Sequence, residues 1–302
     1  MRRDPVHYGF VVATSVAPPA TTKVVTTNRR AGSRPVVATS VAPPAAATTK
    51  VVTTSRRRLR SRPLGVLVCA LTLAALLATP TLAHHPYFEE GITTSSLSGS
   101  PLGVLLWTGL GFLLGAMPFS LWLGRLFLRT DVRRYGDGNP GAANAWRAGG
   151  WRVGLAALLL DYLKGVVPVG LAHFVFGVSG WALVPVALAP VLGHAFSPFL
   201  RFHGGKAVAA TFGIWTGLTL GEIPTLLGLS LVSFLAVQTA DAWSVILGMA
   251  VVLVHLLLRR SPPFMLALWA GNVLILGWKH RHSLREPMQP RPWILKLLGR
   301  TR

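Results

Sequence analysis

The chain has 302 residues, of which 51% are hydrophobic and 13% are charged, and its mean hydropathy is +0.51. This composition excludes an ordinary soluble domain, in which about 25% of residues are charged, and it excludes intrinsic disorder, which requires low hydrophobicity. The net charge of +21, from 30 Lys and Arg against 9 Asp and Glu, has two interpretations: a nucleic-acid-binding surface, or basic cytoplasmic loops of a polytopic membrane protein.

Residues 1–63 form a low-complexity segment rich in Thr, Val, Ala, Pro and Arg. The sequence of Val11–Arg30 recurs at Val36–Arg57 with two additional alanines. Two copies are fewer than the roughly three that a solenoid needs, and the segment lacks helical periodicity. We predict a disordered tail, with the alternative that the start codon has been assigned too early.

A basic cluster, Arg56–Arg62, precedes an apolar stretch of about 20 residues at 64–83, which is long enough to span a bilayer. Basic residues, an apolar run and small residues before His84 are typical of a signal peptide, and the alternative is an uncleaved signal anchor. In both cases the basic cluster remains in the cytoplasm and His84 emerges outside. Residues 84–101 are then a polar linker.

Seven apolar segments follow, which predicts an all-α polytopic membrane protein with a seven-helix core bundle at 102–285. The segments are 102–123, 153–175, 180–199, 207–221, 223–239, 242–258 and 262–278. Most carry glycine, which permits close helix packing in membranes. The fourth is short for a spanning helix, so we expect it to be tilted or partly re-entrant.

Basic residues predict the orientation of this bundle. If the first core segment enters from outside, as the signal requires, the cytoplasmic loops are 124–152, 200–206, 240–241 and 279–302. These loops hold 15 basic residues, namely Arg125, Arg129, Arg133, Arg134, Arg147, Arg152, Arg201, Lys206, Lys279, Arg281, Arg285, Arg291, Lys296, Arg300 and Arg302. The opposite loops hold Arg259 and Arg260. We therefore predict a core with its N-terminus outside and its C-terminus cytoplasmic, a basic tail at 286–302, and no nucleic-acid partner.

Metal and cofactor sites are not expected. Cys69 is the single cysteine, which excludes a disulfide framework and a cysteine zinc site. None of the nine histidines has the HxxxH or HExxH spacing of a zinc enzyme. The HxxxxD pair of one class of acyltransferases and the Gly-x-Ser-x-Gly of serine hydrolases are also missing.

The longest cytoplasmic loop, 131–147, has the composition of an anion site. Glycines at Gly136, Gly138 and Gly141 permit tight turns and close approach to a ligand. A helix-compatible run follows Pro140, and a glycine-rich loop before a helix N-terminus binds anions. Arg133, Arg134 and Arg147 add charge suited to phosphate. The alternative is a polar turn whose arginines serve only the membrane topology.

Three further sets carry polar groups. Gly204-Gly205-Lys206 precedes a helical run and again suits an anion, although it is not a Walker A loop. Asp161 and Lys164 lie three residues apart within an apolar segment, and ionisable groups there indicate function or an internal ion pair. His194 and the basic run 279–282 have the simpler interpretations of a structural histidine and an interfacial anchor.

The motifs together resemble a known family. Gly-x-Gly-Asn-Pro-Gly-Ala-x-Asn-x-x-Arg, Leu-Asp-x-Leu-Lys-Gly, Gly-His-x-Phe, Phe-x-Gly-Gly-Lys and a His-Arg after the last span are similar to the bacterial acyl-phosphate-dependent glycerol-3-phosphate acyltransferases (the PlsY type). The resemblance covers about residues 102–285. It implies transfer of a fatty acyl group from acyl phosphate to the 1-hydroxyl of glycerol 3-phosphate, giving lysophosphatidic acid and phosphate at the cytoplasmic face of the inner membrane.

The resemblance also implies roles for individual residues. Asn139, Asn144, Lys206 and His280 correspond to catalytic positions. The implied phosphate-binding residues are Arg133, Gly136, Asp137, Gly138, Gly141, Arg147, Gly204 and Gly205. Asp161, Lys164 and His194 would shape the site. The implied partners are acyl phosphate, glycerol 3-phosphate and membrane lipid, without a cofactor, and the oligomeric state stays open.

Four positions depart from the family pattern. Asp137 replaces a serine, Ala143 replaces a threonine, His203 replaces a lysine and Ser283 replaces an asparagine. An anionic Asp137 beside a phosphate is unfavourable unless a neighbouring arginine neutralises it. A catalytically inactive relative is therefore one alternative, and a small transporter or lipid-binding membrane protein is another. The core shows no convincing internal repeat, which a transporter would be expected to have.

Overall fold

The computed structural model describes residues 100–297, and these residues form helices and short connections. The α-helices are α1 (Pro101–Ala116), α2 (Phe119–Leu128), α3 (Ala142–Gly170), α4 (Leu183–Ala195), α5 (Val208–Thr219), α6 (Glu222–Val237), α7 (Asp241–Leu258), α8 (Pro263–His280) and α9 (Pro292–Leu297). The predicted segments 1–63 and 64–83 lie outside the described residues, as do most of 84–101 and the end of 286–302.

Each of the seven predicted apolar segments overlaps helix, but the first is divided at 117–118 into α1 and α2. Among the described residues, four helical runs are long and apolar enough to cross a membrane, and α5 and α6 are shorter apolar helices. The four runs are Pro101–Leu128, Ala142–Val175, Gly180–Leu200 and Asp241–Leu258. The fourth segment corresponds to α5, which is short, with 12 residues. The number of seven crossings and their orientation stay predictions.

Glycine allows α1 and α4 to pack with their backbones in contact. A side chain on Gly115 would overlap the carbonyl oxygen of Pro190, and one on Gly193 would overlap that of Phe112. Helices α3 and α5 approach in the same way, since a Cβ on Gly165 would lie 2.7 Å from the Ala210 oxygen. Small residues at such crossings are the usual means of helix association in a membrane.

We expect Gly115→Ala to destabilise the protein by about 1 to 3 kcal/mol, because the added methyl group meets the backbone of Pro190 and overpacking costs this much. Gly109→Ala in the same helix is the matched control, since nothing lies within 4 Å of its added Cβ. Thermal unfolding in detergent measures both variants. An unfolding temperature of Gly115→Ala equal to that of Gly109→Ala would contradict the close approach.

A buried polar network connects α5 and α8. Trp215 Nε1 donates to Asn272 Oδ1 at 3.1 Å, and Asn272 Nδ2 donates to Thr211 Oγ1 at 3.0 Å. All three side chains are buried. Because an unpaired polar group in an apolar interior is costly, each group in this chain holds the next in place.

Helix α3 is kinked at Gly150, where φ is 71° and ψ is −168°. A left-handed φ suits glycine, which has no Cβ to clash. The kink brings the two parts of α3 into contact at Gly154 and Trp146. A Cβ on Gly154 would lie 2.6 Å from the Cβ of Trp146, so the approach requires glycine. The first two turns of α3, which carry Asn144 and Arg147, therefore have a direction different from the long apolar part of the helix.

Candidate active site

Two glycines with left-handed backbone shape the loop before α3. Gly136 has φ 58° and Gly138 has φ 75°. A side chain on Gly136 would overlap Asn144 Oδ1 and lie 2.6 Å from Arg147 Nη1. The loop can therefore close over α3 only with glycine at this position.

Asn144 is the centre of the hydrogen bonds in this loop and is itself buried. Its Nδ2 donates to Asp137 Oδ1 and to the Asn139 carbonyl oxygen, both at 2.9 Å. Its Oδ1 accepts from Arg147 Nη1 at 2.7 Å. With both ends of the amide occupied, Asn144 fixes the loop, the carboxylate and the guanidinium relative to one another.

Asp137 forms an ion pair with Lys206, with Oδ2 and Nζ 2.6 Å apart. Lys206 stands just before α5 and supplies the neutralising positive charge that the sequence pattern required of a neighbouring arginine. Partial burial acts to raise the pKa of Asp137, but the hydrogen bond and charge of Lys206, with weaker amide hydrogen bonds, lower it from 3.8 to about 2. The carboxylate is therefore ionised at neutral pH.

The N-termini of α3 and α5 meet at one cavity of about 550 Å³, here called the apolar cavity. Its walls are mainly Leu155, Leu158, Leu159, Tyr162, Phe212 and Leu231, and its polar end carries Asn139, Asp161, His194 and Lys206. The first residues of both helices also line it, namely Ala142, Ala143, Val208 and Ala209. Neither helix has a side-chain N-cap, so no side chain occupies its first backbone N–H groups. The positive N-terminal ends of both helices therefore face this cavity.

A second cavity of about 530 Å³, here called the polar cavity, adjoins the first. It shares Asn139, Ala143, Lys206 and Val208 with the apolar cavity. Its polar lining otherwise comes from Gly136, Asp137, Asn144, Arg147, Thr239, Asp241, His280, Ser283 and Glu286. Cationic and anionic side chains thus line a space that borders the apolar cavity at Lys206.

His280 is buried at the end of α8 and contributes to the polar cavity. Its Nδ1 lies 2.9 Å from the Leu276 carbonyl oxygen. Because a carbonyl oxygen only accepts, Nδ1 carries the hydrogen and the neutral imidazole keeps Nε2 as an acceptor.

A buried charged cluster supports the polar end of the apolar cavity. Asp161 Oδ1 lies 2.8 Å from Lys164 Nζ and 3.8 Å from His194 Nδ1. Ser120 Oγ donates to Asp161 Oδ2 at 3.1 Å, and Lys164 Nζ also donates to the Met117 carbonyl oxygen at 3.0 Å. The cluster connects α2, α3 and α4, and Ser120 had no signal in the sequence beyond its place in an apolar run.

Known proteins with similar sequences identify the family of this chain. The glycerol-3-phosphate acyltransferase family matches residues 105–289. The chain belongs to this family. Glycerol-3-phosphate acyltransferase 1 of Thermotoga maritima is 40% identical over 191 residues, which cover 58% of this chain and 93% of that protein. The enzyme of Rubrobacter xylanophilus is 39% identical over 180 residues, covering 58% of this chain and 87% of its own length.

Solved structures agree with the family. The crystal structure of PlsY, an integral membrane glycerol 3-phosphate acyltransferase, in its glycerol 3-phosphate form matches with a TM-score of 0.56 at 27% identity. The match covers 66% of this chain and 94% of that one, and the lysophosphatidic acid form matches with a TM-score of 0.55. This acyltransferase-family chain is therefore a membrane protein, and residues 100–297 of it are helical with short connections.

The structure brings most of the predicted site residues of this family member together. Asn139, Asn144, Lys206 and His280, the four residues assigned to catalysis, all line the polar cavity. Gly136, Asp137 and Arg147 line it too, and Gly141, Asp161 and His194 line the apolar cavity. Within residues 100–297, no group of three or more His, Cys, Asp or Glu side chains is arranged to hold a metal ion.

Arg133 and Gly138 are not among the residues that line either cavity. The guanidinium of Arg133 is instead paired with Asp131, with Nη2 2.6 Å from Oδ2 and Nε 3.0 Å from Oδ1. Asp131 also caps the short helix Val132–Arg134 by accepting from the backbone N–H of Arg133. Arg133 therefore stabilises the loop through Asp131, and its assignment to phosphate binding stays a prediction.

Gly204 and Gly205 pack against His194 and do not line the two cavities. A Cβ on either residue would overlap His194, and the Gly205 N–H donates to the His194 carbonyl oxygen at 3.0 Å. Lys279, interpreted from sequence only as part of a basic anchor, donates to the oxygens of Ala195 and Gly204 at 2.9 Å each. Gly204 and Gly205 therefore pack closely against His194 in the residues just before Lys206.

The four departures from the family pattern differ in their location. Asp137 and Ser283 line the polar cavity, and Ala143 lines both cavities. His203 is exposed, and its Nδ1 contacts the Arg201 carbonyl oxygen at 2.7 Å. His203 is therefore a surface change, whereas Asp137 alters the charge of the site itself.

Proposed function

We propose that this chain is an integral membrane acyltransferase that moves a fatty acyl group from acyl phosphate to the 1-hydroxyl of glycerol 3-phosphate. The products are lysophosphatidic acid and inorganic phosphate, as the first acylation of phospholipid biosynthesis. The family membership supports the acyl transfer and the acceptor. The choice of acyl phosphate as donor is the further step that the geometry favours.

The observation that carries the proposal is the junction of the two cavities. There Lys206 and Asn139 stand beside the unblocked N-termini of α3 and α5. An ammonium group and two helix N-termini stabilise phosphate and developing oxyanion charge. The apolar cavity beyond the junction has space for an acyl chain, and the polar cavity has space for a small phosphorylated polyol.

The reaction requires no protein nucleophile at this junction. The acceptor hydroxyl oxygen bonds to the acyl carbonyl carbon, the carbon–oxygen bond to phosphate breaks, and the hydroxyl proton leaves on a phosphate oxygen. Lys206 and the helix N-termini stabilise the charge on the carbonyl and phosphate oxygens. Asn144 orients the Arg147 guanidinium, which binds the acceptor phosphate. The His280 Nε2 acceptor orients the acceptor hydroxyl, so that positioning supplies much of the rate.

Supporting residues complete the proposed assignment. The polar end of the apolar cavity is shaped by Asp161, Lys164 and His194. The packing of Gly204 and Gly205 against His194 fixes the backbone that leads into Lys206. Since 15 basic residues fall in one set of loops, we place the junction at the cytoplasmic face of the inner membrane. The matched relatives are acyltransferases, which favours this activity over a transporter or lipid-binding protein.

An assay of the purified full chain in lipid vesicles tests the proposal. With acyl phosphate and glycerol 3-phosphate we expect lysophosphatidic acid and phosphate in a one-to-one ratio. The matched controls offer the same acyl group as a coenzyme A or acyl-carrier-protein thioester, and we expect no product from either. Activity with a thioester alone would overturn the donor assignment, and no product with any donor would identify an inactive relative.

A further inference from the structure

The carboxylate of Asp137 lies where three hydrogen-bond donors converge. Its Oδ2 is 2.6 Å from Lys206 Nζ, and its Oδ1 accepts from Asn144 Nδ2 at 2.9 Å and from the Asn139 backbone N–H at 3.2 Å. An ammonium, an amide and a main-chain N–H around two oxygens form the kind of donor set that binds phosphate oxygens. We call these three donors the anion nest.

The anion nest is positioned to receive a ligand. Lys206 and Asn139 line both cavities, so the nest stands at their junction. The side chains of Asp137 and Lys206 are 45% and 33% exposed, which means that the pair can separate without opening the helix bundle. Ion pairs with this exposure are weak, so an incoming anion with more charge can compete for the ammonium.

We propose that Asp137 is a built-in competitor for substrate phosphate: a phosphate oxyanion binds in the anion nest by displacing the Asp137 carboxylate. The identity of that phosphate rests on the proposed function. A singly charged ligand gains from the nest little more than Asp137 already does, whereas a phosphate monoester brings up to two charges and three free oxygens. Asp137 is therefore a specificity-determining residue that weakens phosphate binding overall and favours dianions over monoanions.

Equilibrium binding of inorganic phosphate to the purified full chain tests this competition. Asp137→Asn keeps the size of the side chain but removes its charge, and Asp137→Ser removes the carboxylate altogether. We expect both variants to bind phosphate about tenfold more tightly than the wild type. We expect a larger gain for acetate, because a monoanion competes less well than phosphate with the Asp137 carboxylate. Thermal unfolding establishes that each variant is folded, and the second variant serves where the first is not.

Glu286→Gln is the matched control for net charge. Glu286 also lines the polar cavity but makes no contact with the anion nest among the side-chain hydrogen bonds and ion pairs of the described residues. We expect its phosphate affinity to change less than threefold. An equal gain in phosphate affinity in Glu286→Gln and Asp137→Asn would mean that net charge alone causes the effect. Unchanged or weaker phosphate binding in both Asp137 variants would mean that Asp137 positions the site. Either result overturns the proposal.

Two larger probes identify the source of the phosphate. A gain for glycerol 3-phosphate assigns the nest to the acceptor, a gain for dodecyl phosphate assigns it to the donor, and a gain for either supports the competition. No acyl transfer is needed in these measurements. A chain that shows the affinity gains but transfers no acyl group would refute the proposed function and leave the role of Asp137 standing.

Discussion

Replacement of Lys206 by alanine is expected to lower the rate of acyl transfer by about 100-fold to 1,000-fold, the usual effect of removing one preorganised donor from an oxyanion site. Lys206 is the one lysine or arginine that lines both cavities among the described residues. Its loss leaves the charge that develops on the acyl and phosphate oxygens without its ammonium partner. Initial rates at saturating acyl phosphate and glycerol 3-phosphate measure the effect.

Two controls separate this role from the neutralisation of Asp137. Lys206→Arg keeps the positive charge, so we expect it to retain more activity than Lys206→Ala, although a guanidinium does not reproduce the ammonium geometry. The double variant Lys206→Ala with Asp137→Asn has no uncompensated carboxylate. We expect it to be as slow as Lys206→Ala alone. Recovery of wild-type rates in the double variant would show that Lys206 serves only as a counter-ion.

Replacement of Lys164 by methionine is expected to cost about 3 to 5 kcal/mol of stability, because it leaves a buried carboxylate without its ion partner. The side chains of Lys164 and Asp161 are only 3% and 4% exposed, and their charged atoms lie 2.8 Å apart. Ser120 can still donate to Asp161, but a hydroxyl does not neutralise it. Unfolding by denaturant in detergent micelles measures the loss.

The double variant Lys164→Met with Asp161→Asn is the control for this prediction. It removes both charges at once, and we expect it to be more stable than Lys164→Met alone, because replacing a buried ion pair is far less costly than breaking it. Equal stability of the single and double variants would mean that Asp161 takes up a proton or finds another partner, and the coupling assigned to the pair would then be wrong.

The motif residues could be predicted from sequence because glycine, proline and charge carry local signals. Gly136 and Gly138 indicated a tight loop, and both have left-handed backbone. Asp161 and Lys164 indicated an ion pair by their spacing on one helix face, and they form one. Such features depend on neighbours within a few residues, which the sequence itself displays.

The partners of these residues could not be predicted in the same way. The sequence indicated that Asp137 needs a neighbouring arginine to neutralise it beside a phosphate, and the cation that pairs with it is Lys206, almost 70 positions later. The charge of Arg133 seemed free for phosphate, but Asp131 compensates it. The motif predicts Gly204 and Gly205 as phosphate-binding residues, which stays a prediction, and it gives no sign of their packing against His194. Spacing along the chain says nothing about which distant side chain fills a given space.

The sequence by itself determined the class of this protein: a helical membrane bundle with basic loops and a set of polar motifs. Apolar runs and basic loops suffice for that, because the bilayer selects helices by length and hydrophobicity. Only the tertiary structure decided that α3 and α5 direct their N-termini at one junction, with the kink at Gly150 and the packing of Gly205 on His194 placing them there. That convergence depends on contacts between helices that are distant in the sequence. Close packing of side chains determines those contacts, and the local sequence pattern does not.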